Sequence, residues 1–83
     1  MKAVVHVNLK PDVLDPQGKA IRKASTSLGL AAVTDVRQGK LFELEIDESD
    51  RERALAIATE LCEKLLANPV IESYRVVSLE PSR

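Results

Sequence analysis

The 83 residues include one cysteine, one histidine and two aromatic side chains, so few groups are available for chemistry. Cys62 alone can form neither an internal disulfide nor a thiolate-rich metal site. It falls in an apolar stripe of helical spacing, where a thiol packs as a small hydrophobe rather than reacting. His6 could serve as a base or a ligand, but no second histidine or cysteine exists to complete a metal or nucleophilic constellation. Glu43 and Glu45 share one strand face, the spacing of paired carboxylates, and such pairs are more often solvated or turned toward a partner. The stretch "LKPDVLDPQGKAI", Leu9 to Ile21, crowds two prolines, two aspartates and a glycine between apolar runs. Its acids stand where anion binding wants bare N–H groups. Arg37 and Lys40 flank Gln38-Gly39 and form the best-placed pair for a phosphate or a partner carboxylate. The basic stripe Lys19, Arg22 and Lys23, and the mixed charges from Arg51 to Lys64, read as solvated helix faces.

Twelve basic and 13 acidic residues nearly cancel, which argues against a broad nucleic-acid footprint. Apolar residues make up 45% of the chain and are spread along it. No run approaches the roughly 20 residues of a membrane span, and the polar N-terminus lacks a secretion-signal pattern. The expectation is a single domain over residues 1–83, working in the reducing cytoplasm. A chain of this size buries only about 60–65% of its unfolded surface, so a partner could readily complete its core.

The elements that would position these groups follow from periodicity. Ala3, Val5, Val7 and Leu9 alternate with more polar neighbours as in a strand with one buried face. Asp15 reads as an N-cap with Pro16 at the first helical position, Ala20, Ile21, Ala24 and Leu28 follow at helical spacing, and Gly29 is a natural stop. Ala31 to Arg37 reads as a second strand, Gln38-Gly39 as a tight turn and Lys40 to Asp47 as a third strand, together a hairpin. Ser49 to Glu52, "SDRE", reads as a capping box with Ser49 as the cap. It opens a helix whose apolar stripe is Ala54, Ile57, Ala58, Leu61, Cys62 and Leu65, ended by Asn68-Pro69. Val70 to Leu79 is a fourth strand.

The order βαββαβ predicts an α+β, ferredoxin-like antiparallel sheet with two helices on one face. Its other face would carry Val4, His6, Leu41, Glu43 and Glu45, with either Tyr74 and Val76 or Arg75 and Val77. Such folds host unrelated functions. A copper carrier would need Cys-x-x-Cys, and RNA recognition would need more sheet aromatics than Phe42 and Tyr74. An acylphosphatase-like enzyme would need a glycine-rich anion loop before the first helix. The residues therefore describe a binding or assembly module without an active site.

Three segments in order, "LKPDVLDPQGKAI", "TDVRQGKLFEL" and "CEKLLANPVIESY", resemble the PurS family, small subunits of phosphoribosylformylglycinamidine (FGAM) synthase in purine biosynthesis. The resemblance covers essentially the whole chain; Asp12 departs from it, where glycine is more usual. It implies an accessory subunit bridging two others. A large synthetase subunit uses ATP and Mg to activate the amide oxygen of formylglycinamide ribonucleotide, and a glutaminase subunit supplies ammonia. It implies no catalytic residue, metal or cofactor in this chain, no nucleic acid or membrane, and pairing into a homodimer or homotetramer by joined edges or an exchanged segment. Asp15, Pro16, Gln17, Gly18, Arg37, Gly39, Lys40, Asn68, Pro69 and Tyr74 are the expected interface or signature residues. The competing expectation is a dimeric ferredoxin-like domain that senses a small molecule. A small acyl- or phosphate-hydrolysing enzyme ranks below both.

Overall fold

The computed structural model describes residues 1–82. Strand β1, Lys2–Leu9, turns Ala3, Val5 and Val7 to one side, where all three are buried. Lys10 O then accepts from the Val13 N–H at 2.9 Å, a turn that Pro11 favours at its second position. Helix α1, Pro16–Ser27, starts as its sequence predicts, with Asp15 as N-cap and Pro16 leading. It ends in a Schellman arrangement: Gly29 takes φ 85°, and the Leu30 N–H donates to Ser25 O at 2.8 Å. Glycine adopts that left-handed backbone without a Cβ penalty.

Strand β2 is Gly39–Glu45, helix α2 is Arg51–Leu61, a π turn covers Cys62–Leu66, and β3 is Glu72–Glu80. The sheet runs β2-β1-β3 with both pairings antiparallel. Val5 faces Phe42 on one side and Val76 on the other. Val4 pairs with Ser78 while Val5 pairs with Val76, so Val77 is the extra residue of a bulge. Ala54, Ala58 and Cys62 are fully buried over Ala3, Val5, Val7 and Leu79. Their small side chains let α2 lie close to the sheet. Arg51 Nη1 ties the start of α2 to Leu79 O at 2.6 Å.

The α+β class and the antiparallel, ferredoxin-like arrangement stand, and four details within it are corrected. The strand expected over Ala31–Arg37 does not form; the segment is a turn followed by irregular backbone. A two-residue hairpin there would need left-handed backbone at its turn. Among the described residues only Gly29 has it, and Gly39 instead opens β2 opposite Asn8. Secondly, only α2 contributes to the core over the sheet, whereas α1 buries nothing beyond Gly18. Thirdly, the cap of α2 is Asp50, not Ser49. Asp50 accepts from the Arg53 N–H at 3.0 Å, and Glu48 rather than Glu52 binds the Asp50 N–H, at 3.1 Å.

Fourthly, Leu65 leaves the apolar stripe. The Ala67 N–H bonds to Cys62 O at 3.0 Å, an i→i+5 turn that adds one residue to the helix. It rotates Leu65 into solvent, 74% exposed, and brings Leu66 against the core instead. The uncovered sheet face carries Arg75 opposite His6, so Tyr74 and Val76 lie on the covered side. Leu41 is exposed on that open face, and Lys2 reaches Glu43 at 3.3 Å.

Candidate functional site

Most of the residues singled out from the sequence meet at one end of β1, where the three signature segments converge. Asp15 is the pivot. Its Oδ1 accepts from the Gly18 N–H at 2.9 Å and its Oδ2 from the Gln38 N–H at 2.6 Å. One carboxylate thus caps α1 and pins the segment that enters β2. Asp15 is 6% exposed, and its carboxylate is held below its ordinary pKa of 3.8, by the Gln38 N–H first and the Gly18 N–H next, with Arg37 adding an opposite charge. Burial opposes these and loses.

Gly18 sits where a Cβ would overlap Val36 O, and at Gly39 a Cβ would overlap Asn8 Oδ1. Both glycines therefore permit close approach of chain segments rather than an unusual backbone. Arg37 Nη2 donates to Lys10 O at 3.0 Å and to Val13 O at 3.1 Å. Lys40 Nζ lies 3.4 Å from Glu72 Oε2. Glu72 also accepts from the Asn68 N–H at 2.7 Å, and that bond, ahead of Lys40, keeps its pKa below the ordinary 4.5. Asn68 Oδ1 takes the Val70 N–H at 3.0 Å, which shapes the turn containing Pro69.

Pro16, Gln17, Gly39 and Lys40 rim a shallow cleft of about 460 Å³ beside Asp15 and Glu72. Pro69 and Tyr74 border a neighbouring cleft of about 520 Å³ with Lys10 and Glu63. There the Tyr74 hydroxyl donates to Glu63 Oε1 at 2.8 Å, which raises its pKa. Glu72 and Glu63 were not singled out from the sequence. The signal for Glu72 was its place four residues after Asn68, across a proline turn; nothing local marked Glu63, because the π turn decides where it points.

The arrangement is a brace. Its carboxylates are pushed toward the ionised form with acceptor atoms already engaged, the opposite of what a general acid needs. Arg37 Nη2 donates to two backbone carbonyls, which ties that side chain to the bend after β1. Cys62 is fully buried, and burial first, then the Glu63 charge, raises its thiol pKa away from reactivity. His6 stands apart, half-buried on the open sheet face. Among the described residues, no group of three His, Cys, Asp or Glu side chains is placed to hold a metal ion.

A family model described as PurS, phosphoribosylformylglycinamidine (FGAM) synthase, matches residues 2–80. The PurS subunit of phosphoribosylformylglycinamidine synthase from Mycobacterium leprae (strain TN) is 51% identical over 75 residues, covering 90% of this chain and 91% of that protein. Its Bacillus subtilis (strain 168) counterpart is 53% identical over 74 residues, covering 89% and 87%. Among solved structures, PurLQS from Thermotoga maritima contains a chain that superimposes with a TM-score of 0.86 at 35% identity, covering 94% of this chain and 95% of that one. With the brace assembled from the same three segments that carry the resemblance, this chain belongs to the PurS family of FGAM synthase subunits.

Proposed function

We propose that this chain, acting as one module over residues 1–83, joins the synthetase and glutaminase subunits of an FGAM synthase so that ammonia passes between them. ATP and Mg belong to the large synthetase subunit in this reading, and no catalytic step to this chain. One observation carries it. The charged groups at the signature corner are engaged with the chain's own backbone and with each other, while apolar Ile21, Leu28 and Leu30 stand in solvent. A polar brace beside unburied apolar surface fits a part that assembles rather than one that reacts. The related Thermotoga maritima chain occurs in a structure named PurLQS, which supports the same partners here.

The chemistry gives a connector its purpose. Ammonia released into neutral water is protonated and diluted, losing nucleophilicity and effective concentration together. A closed path between two aligned sites avoids both losses. The chain pairs with itself as a dimer or tetramer and works in the cytoplasm; no described helix is long and apolar enough to cross a membrane. Purification of the tagged chain from its native cytoplasm should recover a large ATP-dependent subunit and a glutaminase subunit. Recovery of neither overturns the assignment of partners.

A further inference from the structure

The end of α2 offers one core position to two consecutive leucines. The Ala67 N–H bonds to Cys62 O at 3.0 Å, closing the π turn over Cys62–Leu66. That turn sets Leu66 and Ala67 against Val5, Val7 and Cys62 and leaves Leu65 in solvent. A helix continued without it places them differently. At about 100° per residue, Leu65 falls about 20° from the middle of the face formed by Ala54, Ala58 and Cys62, and Leu66 about 80° from it. In that α register Cys62 O accepts from the Leu66 N–H, Leu65 takes the core position, and the residue released lengthens the link to Pro69.

Each register buries one leucine, so the largest apolar contribution cancels between them. What remains is a set of smaller effects of opposite sign. The π register also buries Ala67 and keeps two side-chain bonds. The Tyr74 hydroxyl donates to Glu63 Oε1 at 2.8 Å, and the Asn68 N–H to Glu72 Oε1 at 2.7 Å. Both bonds are exposed to solvent. Against them stands the wide turn itself, a geometry that chains adopt rarely and most often at functional positions.

We propose that the end of α2 is a two-register switch, π with Leu66 in the core and α with Leu65 in its place, held in the π register by the Tyr74–Glu63 bond. It rests on this chain alone and goes beyond the connector reading. Glu63, Ala67, Pro69 and Tyr74 border the cleft of about 520 Å³, so a change of register reshapes that cleft and exchanges the leucine shown to solvent. Whatever contacts the cleft or the outer leucine in one register only shifts the balance by that difference. Register shifts of this kind run on the microsecond to millisecond scale.

The test is methyl nuclear magnetic resonance on the full chain carrying Leu66→Ala. Overhauser contacts should join the Leu65 methyls to Val5 and Val7, where in the parent those of Leu66 do so. Leu65 methyls that stay in solvent overturn the switch. Stability reads the same exchange. Leu65→Ala should leave the urea midpoint of the parent nearly unchanged but lower that of Leu66→Ala, because the spare leucine is then in use. Equal shifts in the two backgrounds overturn the switch. As a third measurement, Tyr74→Phe keeps the ring and removes only the bond to Glu63. It should raise relaxation dispersion over residues 62–69 several-fold while β1 stays quiet. Flat profiles over those residues overturn the proposal.

Discussion

Asp15 holds two backbone N–H groups from segments 20 residues or more apart in their roles, one starting α1 and one leading into β2. Asp15→Ala therefore removes a helix cap and a tertiary tie together. Its melting temperature should fall by roughly 5 °C or more, the scale of a lost cap in a domain of this size. Differential scanning calorimetry checks this, and Asn at the same position should restore only the cap, because its single amide oxygen can accept from the Gly18 N–H while its amide nitrogen cannot accept from the Gln38 N–H. The sign of the pH effect follows from the lowered pKa values of Asp15 and Glu72. Each contributes stability that is fully present above its unfolded pKa and lost as pH falls through the folded one. Thermal melts should lose stability from about pH 5 downward, and Asp15→Asn should flatten that slope. Arg37→Ala should also destabilise, since it frees two carbonyls at the corner. Lys40→Ala should cost little, because its side chain is 61% exposed in its pair with Glu72 and such pairs contribute about 0–1 kcal/mol. Equal losses from both variants would contradict this division.

Elements were legible where local chemistry settles them. β1 shows its alternation, α1 shows Asp15, Pro16 and Gly29, and the end of α2 shows Asn68-Pro69, all within a few residues. The misreadings share a different cause. Whether Ala31–Val36 is a strand depends on an edge to pair with, and Gln38-Gly39 alone cannot reveal that its N–H is claimed by Asp15. Leu65 was misplaced because a π turn adds a residue that a 3.6 period does not register. Ser49 and Asp50 are both good caps, and Glu48 tips the choice by binding the Asp50 N–H. The brace was readable as a set of residues but not as a brace, since its bonds join positions far apart in sequence. The π turn makes a checkable contrast. Leu65→Ser, at an exposed position, should change stability by no more than about 0.5 kcal/mol. Cys62→Ser, one turn earlier and fully buried, should cost about 1–3 kcal/mol by burying a hydroxyl without a partner. Urea titrations of the two variants separate the cases; comparable losses would mean that Leu65 belongs to the core.

At the scale of the whole molecule, a thin sheet covered by one helix leaves an apolar arm without a place in the single chain. The family and the fold account for this together: a PurS chain is a part of an enzyme. Light scattering at micromolar concentration should give a dimer or tetramer mass. The subunit role itself is tested by leaving this chain out of the reconstituted synthase and following FGAM formation with glutamine, and separately with ammonium salt, as nitrogen donor. Omission should abolish glutamine-dependent synthesis while sparing most of the ammonia-dependent reaction. Glutamine-dependent turnover that is unchanged without the chain would contradict the account.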